Sequence, residues 1–147
     1  MKYKAVVTTL LLFLLTVTAC GNSRTDVLPF SGLEPGMTIE QAKQIEADLV
    51  ETEDGYTLEK SYKDVVFKAK IQGREVIEKL SWVASSEKSE AGDMKTVVRE
   101  IRSYCDKKYG KGQTGEFSAV VMMGWDDGTY IIDLTHGSGI LIEVRKR

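Results

Sequence analysis

"FSAVVMMGWDDGTYIIDLTHGSGILIEV" runs from Phe117 to Val144. Phe117, Ala119, Val121, Met123 and Trp125 alternate onto one side of an extended chain, and Val120 and Met122 make the other side apolar as well. A strand from Phe117 to Trp125 that is apolar on both faces belongs at the centre of a sheet. Asp126-Asp127-Gly128 follows, a strong hairpin signal. Tyr130, Ile132 and Leu134 form the return strand, Gly137-Ser138-Gly139 turns the chain again, and Ile140, Ile142 and Val144 alternate on the last strand. Strands joined by such tight turns run antiparallel.

Upstream the period changes. Met94, Val97, Val98, Ile101 and Cys105 recur at helical spacing, with Asp93 placed to cap and Lys107 and Lys108 at the end the helix dipole favours. This predicts a helix over 93–109 that stops at Gly110. Residues 85–92 are polar and serine-rich and read as a loop. Before them, Val65, Phe67, Ala69 and Ile71 share one face of a strand, Gln72-Gly73 turns, and Val76, Leu80, Trp82 and Ala84 share a face interrupted by Glu78. A further strand over 56–62 stands in front of this hairpin. Thr38 and Gln41 have capping-box spacing, and Ile39, Ala42, Ile45 and Leu49 predict a helix over 39–50. The expected fold is α+β: one antiparallel sheet of five to six strands with two helices on one face, in the order α-β-β-(β)-α-β-β-β. The helix starts lie about 55 residues apart, but no residue motif repeats between the halves.

The N-terminus has a different logic. Lys2 and Lys4 precede an uncharged apolar stretch from Ala5 to Leu15, and small or branched residues lead to Cys20. That is a secretory-signal layout. The apolar stretch is about half the roughly 20 residues that a membrane-spanning helix needs. Val17-Thr18-Ala19-Cys20 resembles the lipobox of bacterial lipoproteins. The resemblance implies cleavage before Cys20, acylation of its thiol and usually of its new amino group, and a bilayer as the first partner. Two or more acyl chains hold a protein stably where one does not. The expected division is 1–19 signal peptide, 20–32 lipidated terminus and tether, and 33–147 a single domain outside the cytoplasm, on the periplasmic or surface side of the envelope.

Of the 20 basic residues, Lys2 and Lys4 fall in the removed piece, which leaves 18 against 22 acidic ones. That balance speaks against nucleic acid as a partner. With Cys20 acylated, Cys105 has no intrachain partner, so the fold stands on its apolar core, where Cys105 is expected as a small hydrophobe.

No constellation predicts a reaction, and no cofactor or metal is expected. His136 sits in a turn without a nucleophile motif near it, and one histidine with one thiol cannot make a usual zinc site. Asp126-Asp127-Gly128 lacks the ligand spacing of a calcium loop. Gly110-Lys111-Gly112 lacks the longer phosphate-loop pattern. Glu87, Glu90 and Asp93 read as a solvated acidic loop rather than a glycosidase pair. Trp82 and Trp125 read first as core, and with Tyr130 they are the candidate partner-binding residues, since tryptophan and tyrosine are enriched at interface centres.

Leu33-Glu34-Pro35-Gly36-Met37-Thr38, leading into Ile39-Glu40-Gln41-Ala42, resembles the helix start of the small SmpA/OmlA-type (BamE-like) envelope lipoproteins. That resemblance implies a helix-pair-on-sheet architecture of the β-lactamase-inhibitor-protein type and carries over no functional residue. The expected function is a membrane-anchored, non-catalytic module that binds an envelope protein. Capture of a small molecule or peptidoglycan fragment, and hydrolysis at an unrecognised site, are the competing readings.

Overall fold

The computed structural model describes residues 32–85 and 91–147. The expected signal, Cys20 and nearly all of the expected tether lie outside the described residues, as does most of the expected 85–92 loop. The elements run α1 (Ile39–Ile45), β1 (Val50–Thr52), β2 (Gly55–Tyr62), β3 (Val65–Gln72), β4 (Lys79–Ser85), α2 (Ala91–Tyr109), β5 (Gln113–Phe117), β6 (Val120–Asp126), β7 (Tyr130–His136) and β8 (Gly139–Lys146). All eight strands join one antiparallel sheet in the order β1-β2-β3-β4-β8-β7-β6-β5. The strand count corrects the expected five to six. Each half is a helix followed by a four-stranded meander, and the last strands of the two meanders pair at the centre, Trp82 opposite Ile142. Four strands separate the two helices.

Two strands were hidden by a turn and by a helix. The stretch from Phe117 to Trp125 is not one central strand. The chain reverses at Ser118-Ala119, where Ser118 takes a left-handed φ of 58°, and Phe117 pairs with Val120 across the turn. The apolar run therefore splits into β5, at the sheet edge, and β6 beside it. The helix expected over 39–50 ends at Ile45, because Glu46 leaves the helix in an extended conformation. Val50 then pairs with Thr57 as the start of the opposite edge strand. Both edges are short, three and five residues, a common way of limiting exposed strand edges. α2 begins two residues before the expected 93, so Asp93 stands in its first turn rather than capping it.

The capping box at Thr38 is present, with the Gln41 backbone NH donating to the Thr38 hydroxyl and the Thr38 NH to the Gln41 side chain. The preceding turn is stitched to the loop between β3 and β4. Gly36 N donates to Ile77 O (2.7 Å), Ile77 N to Met37 O (2.8 Å), and Ile39 N to Glu75 O (2.9 Å). This ladder turns Ile77 into the core and leaves Val76 exposed, the reverse of the expected alternation, because the chain makes an excursion before β4 starts. Gly73 permits it: φ is +113°, and an added Cβ would stand 1.9 Å from Val76 O.

Both helices cover one face of the sheet. Beneath them lie Phe67, Ile71, Leu80, Trp82, Ile132 and Ile142 from the strands, met by Val97, Ile101 and Cys105 from α2. In β2–β4 and β6–β8 the register puts every second residue on this covered side, while the edge strands β1 and β5 are exposed throughout; the remaining residues form an opposite face that no element packs against among the described residues.

Candidate functional site

The three aromatic candidates all belong to the covered face. Trp82 is wholly buried, and its Nε1 has no hydrogen-bond partner among the described residues. Trp125 is 3% exposed. Its Nε1 donates to Asp106 Oδ1 of α2 at 2.8 Å. Tyr130 is half-buried and donates to Glu34 Oε2 at 3.5 Å. Burial, and then the charge of Glu34, push its phenol pKa upward. Glu34 also pairs with Lys108 at 2.9 Å, whose ammonium lies 5.0 Å from the Tyr109 ring centre and 5.9 Å from that of Tyr104. Burial works to lower the Lys108 pKa, but hydrogen bonds to Glu34 and Tyr109 outweigh it and hold the lysine above its ordinary range. These groups clamp the start of the domain to the end of α2. Neither tryptophan offers its ring to a partner.

The other chemically able residues stay scattered. His136 Nδ1 contacts Gly139 O at 3.2 Å within its own turn. Cys105 is buried, and burial, then the neighbouring Asp106, push its thiol pKa up to about 12. Asp127 takes the backbone NH groups of Tyr130 and Thr129, each at 2.8 Å, which hold its carboxyl below the usual range. Asp126 accepts Gly128 N at 2.9 Å. Both acids are occupied in shaping the turn. Among the described residues, no group of three or more His, Cys, Asp or Glu side chains could hold a metal ion, and no helix is long and apolar enough to cross a membrane.

What the structure does assemble is the uncovered face. One part is a lattice of ion pairs across β4, β8 and β7. Lys79 pairs with Glu143, Ser81 bonds the same carboxylate at 3.3 Å, and Arg145 meets Asp133 at 2.7 Å. At the β6–β7 turn, Arg147 reaches Asp126 at 3.2 Å. The next row is largely apolar. Val83 pairs with Leu141, Leu141 with Thr135, and Thr135 with Met122. Val83 is 47% exposed, Met122 45% and Phe117 75%. A shallow hollow of about 400 Å³ opens here, lined by Val83, Val120, Gly137 and Leu141. A second, of about 450 Å³, lies on the other side of Val83 against Thr57, Lys68 and Lys70. Both hollows are open to solvent.

The signal for this surface was present in the sequence. Val120 and Met122 made the second face of their strand apolar, but that reads equally as a strand buried on both sides. Comparison with family models, curated proteins and solved structures returned no match to this chain.

Proposed function

We propose that this chain is a bacterial envelope lipoprotein, held to a membrane by acylated Cys20, whose uncovered sheet face binds a protein partner. The observation that carries the reading is the exposure of Val83, Met122 and Phe117, with half-buried Leu141 and Thr135 in the row between Val83 and Met122, next to a band of ion pairs. Large apolar side chains grouped at the surface and rimmed by charge mark interaction sites. Shallow, solvent-open hollows suit a broad protein contact better than the enclosure of a small ligand, which is held in a deep cleft. The lipobox resemblance supports the anchor, and the reading assigns no reaction to the domain.

A photoreactive residue at Met122, in the acylated protein in its membrane, should give one dominant protein adduct, and the same probe at Ser103 on α2 should not. Absence of any protein adduct at Met122, with a wall fragment or metabolite retained on purification, would overturn the protein-binding reading. The anchor is tested apart from it: a Cys20→Ala variant should leave the membrane fraction, and its retention there at high salt would sink the lipoprotein assignment.

A further inference from the structure

The charges of α2 are sorted. Among its described side chains the most exposed are Lys95, Arg99, Arg102, Ser103, Lys107 and Lys108, five of them basic and none acidic. Of the acids of the same helix, Glu100 and Asp106 are each tied to a neighbour and keep about a third of their side chains exposed. Glu100 accepts the Tyr62 hydroxyl at 2.6 Å and pairs with Lys63 on the β2–β3 turn. Asp106 accepts both the Trp125 indole and Gly112 N, while Arg102 stands 3.7 Å from its other oxygen. Asp93 is half-buried. The basic residues from Lys95 to Lys107 span roughly 18 Å of the helix at 1.5 Å per residue. They form a polar outer stripe with no apolar side chain that could insert. α1 has no such surface, since it exposes Glu40 as well as Lys43.

The second observation is where the chain enters the domain. Glu34 is bonded to Lys108, so the described chain begins at the C-terminal end of α2, on the helix-covered side of the sheet. Twelve residues separate Cys20 from Leu33. Fully extended, they reach at most about 45 Å, roughly one domain diameter.

We propose that the outer face of α2 docks on an anionic bilayer, the one that carries the lipid anchor, and so turns the uncovered sheet face toward the aqueous side. The inference rests on the lipoprotein reading above. Anionic headgroups complement the stripe, and each lysine or arginine near such a surface strengthens binding roughly fivefold. A contact that is weak in free solution suffices here, because the anchor makes it intramolecular. The arrangement also explains why one protein would keep two different surfaces apart: a charged one without apolar residues for lipid, and an apolar one for a protein on the far side.

The test uses the complete acylated chain in vesicles of phosphatidylcholine, with or without phosphatidylglycerol. A fluorophore at Ser103→Cys or at Lys70→Cys is read by quenching from a nitroxide lipid. Buried Cys105 does not compete for the label. The Ser103 probe should be quenched several-fold more in the anionic vesicles. Raised salt, or the triple change Lys95→Glu, Arg102→Glu and Lys107→Glu, should abolish that difference, and the Lys70 probe should not respond. Equal quenching of Ser103 in both lipids, stronger quenching at Lys70, or burial of the Ser103 probe by an acidic protein instead of lipid would each overturn the proposal. The mass of the purified protein reads the anchor separately. If Cys20 carries no acyl group, the anchor reading fails alone. The face is then tested by sedimentation of the same chain with phosphatidylglycerol vesicles, and no salt-sensitive binding would overturn it too.

Discussion

The indole of Trp125 and the carboxylate of Asp106 join the second meander to its helix across 2.8 Å. The same oxygen accepts Gly112 N at 3.0 Å, so one acid fixes the end of α2, the chain that leaves it, and β6. These bonds, the Gly112 amide first and the indole second, hold the Asp106 pKa below the ordinary aspartate range. A carboxylate with a depressed folded pKa contributes stability above its unfolded pKa, near 4, and that contribution is lost as pH falls through the folded value. Asp106→Asn keeps the shape and an acceptor but removes the charge. Its deficit in melting temperature against the parent should be present at neutral pH and should shrink below about pH 4. A deficit that stays constant or grows on acidification contradicts the assignment. Asp106→Ala, which strands two donors, should cost about 1–2 kcal/mol, with part of the loss recovered by water because a third of the side chain is exposed.

The two tryptophans should respond differently to the same change. Trp82→Phe removes an indole NH that has no partner among the described residues, and relief of that desolvated donor offsets part of the lost packing. Trp125→Phe loses a made hydrogen bond and leaves Asp106 short of a donor. Trp125→Phe should therefore lower the urea midpoint more than Trp82→Phe, although Trp82 is the more deeply buried. Trp82→Ala, which empties the site, should cost about 3–5 kcal/mol.

Three glycines give a graded series. An alanine Cβ at position 73 would meet the Val76 carbonyl at 1.9 Å, with φ at +113°. At position 112 it would meet the Trp125 ring at 2.5 Å, and at position 115 it would meet nothing within 4 Å. Gly73→Ala should be the most damaging, since backbone cannot move aside as a side chain can. Gly112→Ala should cost about 1–3 kcal/mol as overpacking. Gly115→Ala should stay within about 0.5 kcal/mol of the parent. Chemical denaturation of the three variants would expose a wrong order.

Cys105 predicts slow chemistry. Buried in the core with its thiol pushed up to about 12, it should react with a disulfide reagent at pH 8 only through opening of the fold. The labelling rate should track denaturant concentration, and prompt labelling of the native protein would place the thiol elsewhere.

Elements with a local signature were legible in the sequence. Thr38 and Gln41 announced the first helix start, the Met94–Cys105 stripe announced the second helix, and Asp126-Asp127-Gly128 announced its hairpin. Misreadings came where local pattern allows two outcomes. Val120 and Met122 opposite Val121 and Met123 describe a strand buried on both sides, or one whose second face is open to solvent. Ser118 carried no glycine to mark its left-handed turn, so two strands read as one. Leu49 continued the helical period past Ile45, but β1 needed Val50 extended to pair with Thr57.

By itself the sequence determined the class of this protein: alternating strands closed by tight turns must form antiparallel ribbons, and two amphipathic helices must cover one side of them. It also carries Cys20 with flanks that resemble a lipobox, an expectation read from order along the chain rather than from folding. Only the tertiary structure decided that the two meanders meet at β4 and β8, that both tryptophans turn inward, and that Val83, Leu141 and Met122 are brought together from three distant strands. Pairing between strands more than fifty residues apart depends on which register buries the most apolar surface across the whole sheet, and no single window of the chain contains that comparison.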